Sequence, residues 1–213
     1  MKPVNIGGHS AYQNRVLTQL HKYYPDAPSS LSSSTWQILD KFWNLDLSMV
    51  DTLMQDRYSR KRDTLKLKSV VLENDYLSAR FLPELGGRLH SLYDKALKRE
   101  LLFTNPVIQP GNLAIRNAWL SGGIEWNIGT FGHTYTTCDN VYSAILQDGD
   151  GNDFLRIYEF ERNKSIFWQV DFHLPDNSRE LICHVRMVNP FPKATTTYWW
   201  SNIAVPTDTT TRV

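Results

Sequence analysis

The sequence predicts a mainly β protein: an antiparallel all-β domain preceded by a short helical segment. Three observations carry this. From residue 63 onward, apolar runs alternate with short polar turns, and no helical periodicity lies between them. Residues 166–174 alternate cleanly, with Ile166, Trp168, Val170, Phe172 and Leu174 on one face and Phe167, Gln169, Asp171 and His173 on the other. Asp148-Gly149-Asp150-Gly151-Asn152 is a strong turn signal between two such runs. Strands joined by short turns pair antiparallel, because a parallel pair needs a long crossover.

The elements follow in chain order. Residues 1–62 form a helical and linker segment. Val16, Leu17, Leu20 and Tyr24 share one helical face, and Trp36, Leu39, Phe42 and Trp43 another. Between them, Pro25 to Ser34 has the composition of a breaker, and Ser34 or Thr35 is suited to cap the second helix. These faces are expected to dock on the main domain. Residues 63–213 carry the strands. Leu65–Leu72 and Tyr76–Leu82 flank Glu73-Asn74-Asp75 as a hairpin, and Arg88–Tyr93 follows the Leu85-Gly86-Gly87 turn. Val141–Leu146 and Phe154–Arg162 bracket the Asp/Gly turn, and Leu181–Val188 and Thr196–Val205 complete the series. The sequence stops after an apolar strand without a closing element. An open sheet edge is normally covered, so residues 63–213 are read as the first part of a longer sandwich.

Composition bounds the function. With 41% hydrophobic and 21% charged residues, the chain has ample material for a soluble core. A formal net charge of +1 gives no electrostatic case for nucleic acid or an acidic membrane as partner. Cys138 and Cys183 are too few for a disulfide framework and lack CxxC spacing, and Met1–Ser10 contains no apolar leader core. The expected location is therefore the cytoplasm. No His/Cys/Asp/Glu set has metal-ligand spacing, and the glycine pairs fit neither phosphate-loop nor dinucleotide patterns, so no metal and no cofactor are expected. Asp148, Asp150, Asn152 and Glu159 imitate part of a calcium loop. The glycine such a loop needs at position six is Asp153 here, and a hairpin turn accounts for the run.

The chemistry concentrates in Ala114 to Gly129. Glu125 sits between a double glycine and Trp126, with Arg116, Asn117, Trp119 and Asn127 nearby and His133 shortly after. Apolar flanks tune a carboxylate for acid or base work near neutral pH. Glycines allow a ligand close to the backbone, tryptophans offer flat apolar faces, and Arg and Asn supply hydrogen bonds to hydroxyls. That combination reads as a sugar site. Glu125 is expected to be the principal acid/base, with His133 or a downstream carboxylate as its partner. Arg88, Arg116, Asn117, Trp119, Trp126, Asn127, Trp200 and Asn202 are the expected substrate-binding residues. A salt bridge serves equally for either arginine, and large aromatics are more often core. Alternation sends Trp199 and Trp200 to opposite faces, so only one of them reaches a given cleft. His90 is a weaker candidate on the same grounds.

Leu72-Glu73-Asn74-Asp75-Tyr76-Leu77, Leu82-Pro83-Glu84-Leu85-Gly86-Gly87-Arg88-Leu89, Ser121-Gly122-Gly123-Ile124-Glu125-Trp126-Asn127 and Tyr198-Trp199-Trp200-Ser201-Asn202-Ile203-Ala204 together resemble the bacterial DUF5107 domain. That domain is often followed by tetratricopeptide repeats, so the resemblance implies such a region downstream in a longer protein. It also implies a galactose-mutarotase-like antiparallel β-supersandwich, here partial, a fold shared with aldose epimerases and several glycoside hydrolases and lyases. It supplies no reaction. Aldose epimerases pair an acidic histidine with a basic glutamate from late in the chain, and Glu125 lies too early to match that glutamate.

The functional expectation is a domain acting on a sugar or oligosaccharide, by hydrolysis or by anomeric interconversion. Hydrolysis needs two carboxylates at a defined separation, and the sequence offers Glu125, Glu159, Glu161 and Asp171. Two alternatives stand beside it: a non-catalytic carbohydrate-binding or sensing module, and a truncated inactive fragment.

Overall fold

The computed structural model describes residues 61–110, 119–129, 132–134 and 136–212, together with the backbone of 5–6 and 9–10. The chain divides into two units, Met1–Thr52 and Leu53–Val213. In the first unit, strands β1 (Asn5–Ile6) and β2 (His9–Ser10) pair antiparallel. The helical faces expected from residues 16 to 43 lie outside the described residues, as do Arg116 and Asn117.

The second unit is built from two antiparallel sheets. Its strands are β3 (Val70–Glu73), β4 (Leu77–Leu82), β5 (Arg88–Asp94), β6 (Arg99–Glu100), β7 (Ile124–Asn127), β8 (Tyr142–Gln147), β9 (Asp153–Glu161), β10 (Ile166–His173), β11 (Ile182–Val188) and β12 (Trp200–Ile203). One sheet runs β12-β7-β5-β4-β3, with β6 paired to β5, and the other runs β11-β10-β9-β8. The second is a meander, each strand beside its sequence neighbour, as short polar turns require. The first is not: β7 joins β5 on one side and β12 on the other, across long stretches of chain.

Inward-facing residues of both sheets form one core. Phe81 of β4, Leu89 of β5, Trp126 of β7, Ile157 of β9 and Trp168, Val170 and Phe172 of β10 belong to it, and all are buried. Phe172 joins the layers, its ring centroid 4.5 Å from Phe81 and 5.2 Å from Trp126. Two sheets burying a shared apolar layer make a sandwich. The alternation expected for residues 166–174 is seen in β10: Ile166, Trp168, Val170 and Phe172 are buried in this core.

The turns use their polar residues locally. Asn74 Oδ1 accepts the Tyr76 and Leu77 amides at 2.9 and 2.8 Å, closing the β3–β4 hairpin. Asp148 Oδ1 accepts the Asp150 and Asn152 amides, both at 2.9 Å. The carboxylate that imitates a calcium ligand therefore closes the β8–β9 turn.

Two expectations change. β3 begins at Val70 rather than Leu65, and residues 61–69 form no strand. Four strands were not expected: β1 and β2 in the first unit, and β6 and β7 in the second. β7 lies where the glycine pair reads as a turn, and its position between β5 and β12 builds the candidate site.

Candidate functional site

β7 is buried along its whole length, yet its residues divide by face. Side chains alternate along a strand. Ile124 and Trp126 point into the core, and Glu125 and Asn127 point to the opposite face of the sheet. The register then gathers partners from both sides. Leu89 pairs with Ile124, so Arg88 of β5 lies across from Glu125. On the other flank Asn202 pairs with Glu125, and Trp200 with Asn127. Glu125 thus sits between an arginine and an asparagine from two neighbouring strands.

Approach of these strands needs glycine. Gly123 has φ +69, and a Cβ there would lie 2.4 Å from the Leu89 carbonyl oxygen. Any side chain would push β7 from β5.

Hydrogen-bond donors surround the carboxylate. Arg88 Nη2 donates to Glu125 Oε2 at 3.0 Å, with both side chains 2% exposed. Arg88 Nη1 donates to the Gly122 carbonyl. Burial pushes the Arg88 guanidinium down from its ordinary value, and the Glu125 charge opposes that push. Asn127 Nδ2 donates to Oε1 at 3.1 Å, and Asn202 Nδ2 reaches the same oxygen at 3.5 Å. His133 Nδ1 stands 2.6 Å from Oε1, an ion-pair distance. The alignment of that approach falls short of a hydrogen bond.

A clasp holds the histidine. Asn127 Oδ1 accepts the Thr134 amide at 2.8 Å, while Thr134 Oγ1 accepts the Ile128 amide at 2.7 Å and donates to the Ile128 carbonyl at 3.0 Å. Thr137 Oγ1 donates to the Thr134 carbonyl at 2.6 Å. Trp200 Nε1 donates to the Gly132 carbonyl at 3.2 Å, and its ring meets the His133 ring edge-on at 5.0 Å. The side chain of His133 is 25% exposed where that of Glu125 is 2% exposed, so the imidazole is the member of the pair that meets solvent.

The sequence-derived candidates separate accordingly. Glu125, His133, Arg88, Asn127, Trp200 and Asn202 come together. Trp126 does not join them: it packs on Phe172 in the core, and its Nε1 donates to the Gly87 carbonyl at 3.0 Å. Trp119 is half-buried. Trp199 packs against Trp168, leaving Trp200 alone of that pair on the site face. His90 lies where the register between β4 and β5 shifts, a bulge. Burial pushes its imidazole down, and the charges of Arg88 and Arg80 push the same way. Thr134 and Thr137 went unnoticed in the sequence, although both follow His133 in a threonine-rich run.

No second carboxylate stands beside Glu125 among the described residues. Asp171 is held by Arg156 on the other sheet through two contacts of 2.7 Å. Glu161, also on that sheet, accepts the Asn163 and Lys164 amides. Among the described residues no group of three His, Cys, Asp or Glu is placed to hold a metal ion, and no helix is long and apolar enough to cross a membrane.

Comparison with known proteins adds two findings. The family model described as Domain of unknown function (DUF5107) matches residues 49–212. Among solved structures, a TPR-domain containing protein from Parabacteroides distasonis ATCC 8503 is similar at 26% sequence identity with a TM-score of 0.65. The match covers 78% of this chain and 29% of that one, so the chain spans under a third of that protein's length.

Proposed function

The chain belongs to the DUF5107 family, and from that premise we propose that it is a carbohydrate-active domain acting by proton transfer at a sugar. The contact that carries this reading is the 2.6 Å approach of His133 Nδ1 to Glu125 Oε1. A carboxylate this close to one ring nitrogen orients the ring and leaves Nε2 to exchange a proton. Glu125 is buried and already engaged by Arg88 and Asn127. This assigns proton exchange to His133 and makes Glu125 the residue that orients it, an exchange of the roles expected from the sequence. Trp200, edge-on to the imidazole, supplies the apolar surface against which a sugar ring rests. Asn202 offers its remaining amide capacity to a hydroxyl.

Anomeric interconversion fits this arrangement better than hydrolysis, because hydrolysis uses two carboxylates flanking one bond and Glu125 has no such neighbour among the described residues. The test is anomer exchange of a panel of aldoses, followed by polarimetry and NMR. Wild-type protein is expected to accelerate exchange for one sugar class, and His133→Asn to remove the acceleration by roughly a hundredfold or more. Equal rates for both proteins would overturn the reading.

A second reading, a binding or sensing module without turnover, draws support from the completeness with which Glu125 is already satisfied. It predicts sugar binding that persists in His133→Asn with no exchange in either protein. The Parabacteroides neighbour is a TPR-domain containing protein, which supports the proposal that a longer protein carries tetratricopeptide repeats beyond this domain.

A further inference from the structure

A groove of about 400 Å³ is lined mostly by the outer face of the four-stranded sheet β8–β11, with the core residue Trp168 reaching it from the other side of β10. The register builds its floor. Tyr142 pairs with Tyr158, Tyr158 with Gln169, and Gln169 with Arg186, so one row of side chains crosses all four strands. Three strand spacings make that row about 14 Å long. It suits a short chain of rings better than a single one.

The row is aromatic at one end and cationic at the other. Tyr142 and Tyr158 stack at 5.4 Å, and both are exposed. Phe167, 51% exposed, lies beside them against Phe160 at 4.9 Å. Exposed rings on a flat sheet face have nothing to gain from water and present planar apolar surfaces to a ligand. In the neighbouring row, Arg156 of β9 is already neutralised by Asp171 in a two-contact pair at 2.7 Å, and Gln169 Nε2 donates to the same carboxylate at 3.2 Å. This leaves Gln169 Oε1 free to accept. Arg186 has no anionic partner among the described residues. Glu159 borders the groove as well, from the other side of β9 and with Oε1 engaged by the Phe160 amide at 2.7 Å.

We propose that this face binds an acidic oligosaccharide, its rings lying on Tyr158 and Phe167 and its anionic group taken by Arg186. A guanidinium fork matches the two oxygens of a carboxylate or sulfate, and an aromatic floor matches the apolar faces of sugar rings. The surface belongs to the sheet opposite Glu125 and stands independently of the chemistry there.

Titration calorimetry of the full chain tests it, with tetragalacturonate as the carboxylated probe, a chondroitin sulfate tetrasaccharide as the sulfated probe, and uncharged galactotetraose as the control. At least one anionic probe is expected to bind roughly tenfold or more tightly than the control, with an affinity that falls as salt rises. Arg186→Gln is expected to weaken that binding about tenfold, and Tyr158→Ala to weaken it for charged and uncharged probes alike. Should either variant melt differently from wild type, hydrogen-exchange footprinting of the wild-type complex decides instead. Protection confined to β9–β11 supports the groove, and protection elsewhere overturns it. The proposal also fails if neither anionic probe binds, if galactotetraose binds as tightly, or if both variants bind like wild type. It fails as well if a single-stranded oligonucleotide binds more tightly than either glycan.

Discussion

Arg88 and Glu125 pair where neither meets water, and the Glu125 charge opposes the burial that pushes the guanidinium down. Breaking a buried pair from one side leaves a bare charge. Glu125→Gln is therefore expected to lower stability by roughly 3–5 kcal/mol, read from denaturant melts. Replacing both residues with apolar ones should recover much of that loss. A Glu125→Gln protein that melts like wild type would show that the pair is not interdependent. For the same reason His133, not Glu125, is the position at which loss of the proposed chemistry is separable from loss of fold. Glu161 poses a different residue-scale problem. Burial raises its carboxyl above the usual range, against the pull of the Asn163 and Lys164 amides. A proton held more tightly by the folded state contributes stability that is fully present below the unfolded pKa and lost as pH rises through the folded one. Glu161→Gln should flatten that decline and raise the midpoint at neutral pH by roughly 2–4 °C. An unchanged pH profile in a thermal-melt series would refute it. Gly129 abuts this carboxylate, with φ +94 and room for no Cβ, since Glu161 Cδ would lie 2.4 Å away. Gly129→Ala is expected to cost roughly 2 kcal/mol or more in melts.

At the scale of the element, β7 decides what could be read in advance. β10 was legible because one face is core and the other is not, which leaves a two-residue period in the sequence. β7 has no such period. Ile124, Glu125, Trp126 and Asn127 are all buried, two against the core and two against partners from other strands. A strand buried on both faces carries no amphipathic signal, and Gly122-Gly123 before it reads as a turn. The composition of the site was therefore visible while the strand that holds it was not. Trp126 fell on the wrong side of that missing strand: alternation from Glu125 sends it to the core. Asn127 shows what β7 does for the site, since one amide spans Glu125 and the histidine loop. Asn127→Ala should cost about 1–3 kcal/mol through the unsatisfied Thr134 amide. Hydrogen exchange reports it directly, and the Thr134 amide is expected to lose protection first. Retained protection there would mean the clasp is held elsewhere.

For the molecule as a whole, alternation shows which side chains face inward but not which sheet a strand joins. The meander β8 to β11 follows from adjacency, and short turns announce it. The pairings of β7 with β5 and β12 depend on contacts far apart in sequence, and no local pattern encodes them. What unites the sheets is their common core, with Phe172 in contact with Phe81 and Trp126. Phe172→Ala should cost about 3–5 kcal/mol and lower the calorimetric midpoint without broadening the transition. A variant that melts in two steps would show that the sheets unfold separately.

The pairing of Asn202 with Glu125 joins residues 77 positions apart. A nascent chain emerges from its N-terminal end and folds as it is made. Arg88, Glu125 and His133 therefore leave the ribosome well before Trp200 and Asn202. Until β12 arrives, the carboxylate lacks its third flank and the imidazole lacks the indole that meets it. The face around Glu125 is thus completed only once residues 200–203 have been made and have paired with β7.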